Sequence, residues 1–94
     1  MKDITELIKE LKHKDISVRR NAAETLGRVG DKKAIDSLIL ALKDRDRFVR
    51  QEVISALGKI GGKKVVQALK QALEEEKNEF VKDSMKKVLE KMQK

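Results

Sequence analysis

Cysteine is missing from this chain of 94 residues, which excludes disulfides, thiol nucleophiles and cysteine metal sites. Proline, tryptophan and tyrosine are missing too, and the aromatics are Phe48 and Phe80 alone. A single histidine, His13, rules out a diiron centre built from several His–Glu pairs, and it is expected to be an exposed turn residue. No Ser–His–Asp or Cys–His arrangement, phosphate-cradling glycine loop or metal-ligand cluster can be assembled from what is present. No catalytic role and no cofactor are therefore expected. The most apolar stretch, Ala34 to Leu42, is short and interrupted by Asp36, too little for a membrane span. The opening MKDITELIKE carries acids where a secretory or organellar signal would not, so a cytoplasmic location is expected.

Charge is abundant instead. Charged residues make up 41% and hydrophobic ones 39%, enough apolar content for a core and too much for a disordered chain. The formal net charge of +7 favours an acidic partner over a basic one. Heavy use of Lys and Glu also resembles thermophile composition.

The apolar residues fall at helical spacing throughout. Ile4, Leu7, Ile8 and Leu11 trace one face of an amphipathic helix. Ile35, Leu38, Ile39 and Leu42 repeat that face. Between them DISVRRNAAETLGRVG, from Asp15 to Gly30, returns as DRFVRQEVISALGKIG from Asp46 to Gly61. Val18 becomes Val49, Arg19 becomes Arg50, Leu26 becomes Leu57 and Gly27 becomes Gly58, a period of about 31 residues, as in helical solenoids. A third copy slips by one residue, aligning Val49 with Val81. Asp15, Asp46 and Asn78 stand where N-caps are needed, and Gly30 and Gly61 where the helices stop.

Helical segments are thus expected over 3–12 (a lone first helix), 16–29, 32–43, 47–60, 63–74 and 79–92 of one domain, 1–94. The repeat units are 15–45, 46–77 and a partial 78–94, which predicts about two and a half repeats, an all-α stack of five helices.

The pattern DxxVRxxxxxxLGxxG, followed by KKA or KKV and a leucine-spaced helix, resembles the HEAT-like repeats named after phycobilisome lyases, over essentially the whole chain. That resemblance implies a right-handed α-solenoid with one helix of each repeat outside and the other lining a concave face. It implies no single function, since the family spans scaffolds, lyase subunits and enzymes.

The two ends differ from the middle. Asp3 and Glu10 stand where later helices carry Ala34 and Ala41, then Val65 and Ala72. Lys70 replaces Ile8 and Ile39, Lys86 replaces Ala23 and Ile54, and Glu90 replaces Gly27 and Gly58. Polar residues where a neighbour would be missing keep a terminal repeat soluble, so a complete, mainly monomeric domain is expected. Mid-helix Gly27 and Gly58 cost about 1 kcal/mol each against Ala, which close approach by the next helix would explain.

Four candidate sites follow. Arg19 and Arg50, with Lys82 third, suit either an anion site or, as the resemblance implies, an internal hydrogen-bond ladder to Asp15, Asp46 or neighbouring turns. Phe48 and Phe80 share one repeat position and are expected in the core or between repeats. His13 is the exposed loop residue described above. The outward face of the shorter helices is the fourth and the best candidate for a binding surface. It presents Lys2, Thr5, Lys9 and Lys12, then Lys33, Asp36, Leu40 and Lys43, then Lys64, Gln67, Gln71 and Glu74, six lysines against two acids. There Lys33 and Lys64 would attract an acidic or mixed protein segment, Leu40 would anchor it, and Asp36, Gln67 and Gln71 would fix its register, with Lys9 beside them. Nucleic-acid binding through the same face is the alternative, weakened by the absence of Arg and aromatics there. A third alternative is a non-catalytic lyase subunit, carried only by the resemblance.

Overall fold

The 14-residue helices each begin at a side-chain cap, and the first two end at a glycine. In the computed structural model, which describes residues 2–93, Asp15 accepts from the N–H groups of Ser17 and Val18 at 2.7 and 3.4 Å. Asp46 accepts from Phe48 and Val49 at 2.9 and 3.0 Å, and Asn78 from Val81 at 3.1 Å. These bonds satisfy donors that have no partner in the first helical turn. Gly30 closes its helix in the left-handed region, at φ 73°, with its N–H donating to Leu26.

The elements are α1 (Ile4–Glu10), α2 (Ile16–Val29), a 3₁₀ turn (Lys32–Ala34), α3 (Ile35–Ala41), α4 (Arg47–Ile60), α5 (Lys63–Glu75) and α6 (Glu79–Met92). Among the described residues the count is six α-helices, not five. The first helix is not a lone half-repeat: α1 packs on α2 as α3 does on α4 and α5 on α6. Three hairpins result instead of two and a half repeats. The first and last residues of the expected 1–94 domain lie outside those described.

The expected helix over 32–43 is also divided. Asp31 accepts from the N–H of Lys33 at 2.8 Å, and the Ala34 N–H donates to the Asp31 carbonyl at 3.1 Å. That i to i+3 bond tightens the first turn into a 3₁₀ helix.

The hairpins stack side by side. The longer helices α2, α4 and α6 form one layer, α4 packing against both neighbours, and α1, α3 and α5 form the other. One core runs between the layers: Leu26, Leu38, Val53, Leu57, Leu69 and Met85 are fully buried. The expected close approach is present at both mid-helix glycines. A Cβ on Gly27 would stand 2.7 Å from the Ala56 Cα and 2.8 Å from its Cβ. One on Gly58 would stand 2.7 Å from a Val88 methyl. Toward the ends, Asp3, Lys70, Lys86 and Glu90 are exposed, whereas Ala23, Ala34, Ile54 and Val65 are buried.

Candidate functional site

The two arginines of the repeat motif are committed internally. Arg19, only 5% exposed, donates from Nε to Asp44 Oδ2 at 2.9 Å and from Nη2 to Asp44 Oδ1 at 3.3 Å. Its Nη1 donates to the carbonyls of His13 and Lys14 at 2.8 and 3.2 Å. Arg50 does the same one repeat later, reaching Glu76 from Nε and Nη2 at 2.8 and 3.1 Å and the Asp44 carbonyl from Nη1 at 2.7 Å. The ladder alternative thus describes this site, in its form with neighbouring turns: Asp15 and Asp46 are occupied as caps, and the acceptors are Asp44 and Glu76 in the following turn. Planar guanidinium forks suit such bidentate pairing. Lys82, third in the series, stands 3.5 Å from Glu79 on its own helix.

His13 occupies the place of those acids in the first turn. Its Nδ1 accepts from the Asp15 N–H at 3.0 Å, as Asp44 accepts from the Asp46 N–H at 2.9 Å and Glu76 from the Asn78 N–H at 3.0 Å. The residue is exposed, as expected, yet it shapes the turn.

Neither phenylalanine lies in the core: Phe48 is 45% exposed and Phe80 76%. Each sits in the first helical turn one residue before Val49 or Val81, which are buried. A step of about 100° per residue therefore turns the ring away from the core. The guanidiniums of Arg20 and Arg47 cover the Phe48 ring at 5.5 and 4.9 Å from its centroid.

Lys9, Lys33, Asp36, Leu40, Lys64, Gln67 and Gln71 are all exposed on the layer formed by α1, α3 and α5. Two of the lysines near the start of those helices are paired, however. Lys64 pairs with Asp36 across from α5 to α3, and Lys2 pairs with Glu10 at 2.6 Å. Lys33 has no carboxylate within ion-pair distance among the described residues.

Unbalanced positive charge collects at the other end of the layer. A groove of about 690 Å³ lies between α1 and α3. Ile8, Leu11, Leu40 and Ala41 supply its apolar surface, and Lys9, Lys12, Lys14, Lys43 and Arg45 its charged edge. Lys14 and Arg45 were not anticipated, because a helical wheel omits the turns in which they lie. Their shared place before the N-cap, taken by Lys77 in the third repeat, was the available signal. A second groove, of about 440 Å³, lies between α3 and α5. Leu40, 67% exposed, lines both grooves and so forms the ridge between them.

The family model described as HEAT repeats matches residues 4–90. The chain belongs to the HEAT-repeat family. No curated protein matches it. Within this HEAT-repeat protein no described helix is long and apolar enough to cross a membrane. Among the described residues no group of three or more His, Asp or Glu side chains is placed to hold a metal ion.

Proposed function

We propose that this HEAT-repeat protein is a non-catalytic, monomeric interaction scaffold in the cytoplasm, binding an acidic or mixed protein segment on the layer formed by α1, α3 and α5. The observation that carries the reading is Leu40, an exposed apolar side chain at the centre of that layer, bordered by Lys9, Lys12 and Lys43, which have no carboxylate partner among the described residues. A central apolar anchor within a polar, charged rim is the usual anatomy of a binding hot spot. Positive charge around it speeds encounter with an acidic partner and discriminates against basic ones. The DxxVR…LGxxG pattern supports placing the chain with the phycobilisome-lyase type of HEAT-like repeat, and with it a right-handed solenoid.

Selection from a random peptide display library tests the scaffold reading. Peptides enriched in Asp and Glu are expected for the native protein. Enrichment should be lost when Leu40→Ser is combined with Lys33→Glu and Lys64→Glu. Selection of basic peptides, or acidic enrichment indifferent to the three substitutions, would refute the assignment to this layer.

A further inference from the structure

The two grooves are built from equivalent positions, so the difference between them isolates what the fold does not require. Counting back from the caps Asp15, Asp46 and Asn78, the residues immediately before them are Lys14, Arg45 and Lys77, and the ladder acceptors are His13, Asp44 and Glu76. One position earlier stand Lys12, Lys43 and Glu75. All three of these are exposed, at or next to the end of a helix. Lysine there suits the negative end of the helix dipole, yet the third hairpin forms the same turn with Glu75. Helix stability therefore does not demand Lys12 and Lys43.

The outcome is a marked difference in charge. Among the described residues none of Lys9, Lys12, Lys14, Lys43 and Arg45 lies within ion-pair distance of a carboxylate, although seven other cations of the molecule do. The one acid in the α1–α3 groove, Asp44, is spent on Arg19 and on the Asp46 N–H. The α3–α5 groove shares Lys43, Asp44 and Arg45 and adds Lys77. Its Glu76 is spent on Arg50 in the same way. It has Glu75, however, where the α1–α3 groove has Lys43, and Leu40 and Gln71 where that groove has Lys9 and Leu40.

Resting on the scaffold reading, we infer that the α1–α3 groove is the docking site, and that its occupant is an acidic segment of another protein carrying an apolar side chain. The apolar residue packs against Leu40 and the Ile8–Leu11 side of the groove, while carboxylates on either side meet Lys9 and Lys12 on one edge and Lys43 and Arg45 on the other. A nucleic acid would supply charge, but it needs stacking partners for its bases. Neither phenylalanine lines the groove, and an apolar ridge such as Leu40 offers nothing to a phosphate.

The test is an amide-resolved NMR titration of isotope-labelled protein with three probes at matched salt. They are a synthetic peptide of glutamates bracketing one leucine, the same peptide with glycine for leucine, and a single-stranded oligonucleotide. The leucine peptide should shift Lys9, Lys12, Leu40, Lys43 and Arg45. The glycine peptide should bind about tenfold more weakly, the free-energy scale of losing one buried apolar side chain. Lys12→Glu with Lys43→Glu should weaken the leucine peptide about tenfold or more, with an unchanged helical circular-dichroism spectrum. Shifts confined to Lys33, Lys64 and Gln67 would overturn the groove assignment and leave the scaffold reading standing. No shifts on α1, α3 or α5 with the leucine peptide would overturn the inference, and the library selection would then decide the scaffold reading separately. Tighter binding of the oligonucleotide than of the leucine peptide would overturn the choice of a protein occupant.

Discussion

Arg19 shows what a single side chain contributes here. Its guanidinium ties the turn before α2 to the turn before α4; Arg19 is buried and Asp44 nearly so, at 6% and 9% side-chain exposure. Removing one partner of such a pair strands the other charge away from water, at a cost of roughly 3–5 kcal/mol. A domain of this size has about 5–15 kcal/mol of stability in all. Arg19→Ala is therefore expected to shift the urea unfolding midpoint far more than Arg20→Ala, whose partner Glu52 stands 3.9 Å away at the surface. The glycines give a second contrast. Alanine at either position gains about 1 kcal/mol of helix propensity. At Gly27 the new Cβ meets the backbone of α4, which cannot yield without moving the helix; at Gly58 it meets one methyl of Val88, a half-buried side chain on α6. Gly27→Ala should be destabilising by about 1–3 kcal/mol, the usual range for overpacking, and Gly58→Ala clearly less so. Equal effects in paired thermal melts would contradict this account.

Among the elements, α4 holds the central place. It packs on α2, α6, α3 and α5, whereas α1 spans only Ile4–Glu10 and rests chiefly on α2. Short helices draw their stability from tertiary packing rather than propensity, so local opening should follow this hierarchy. Native-state hydrogen exchange is expected to be slowest at Val53 to Leu57 of α4 and fastest, among the helices, in α1. Comparable protection in α1 and α4 would show that the hairpins open only together. Most of these elements were legible beforehand. Caps at Asp15, Asp46 and Asn78, stops at glycine and apolar residues at helical spacing are all local signals. The division of 32–43 was not, because it depends on Asp31 capping Lys33 two residues on, a geometry that periodicity does not register.

At the scale of the molecule, charge is distributed unevenly over a regular frame. The repeat delivers two equivalent grooves, and side chains that the repeat leaves undetermined make one of them the more cationic. Its affinity for an acidic segment should therefore weaken as salt rises, while the contribution of Leu40 should persist.

The amino-acid sequence by itself determined the repeat, the helix boundaries to within a residue or two outside the divided segment 32–43, the buried stripe, the close approach at Gly27 and Gly58, and the outward position of Lys9, Leu40 and Gln71. Each of these follows from the spacing of residues along a helix or from which residue stands at a cap, a stop or an equivalent place in the next repeat. Tertiary structure decided the rest. It put Asp44 and Glu76, not Asp15 and Asp46, against the arginines, and it turned Phe48 and Phe80 outward. It paired Lys64 with Asp36 and brought the turn residues Lys14 and Arg45 to the edge of the cationic groove. These outcomes depend on distances between atoms of different helices and on the path of the turns, and neither is written in the period of the chain.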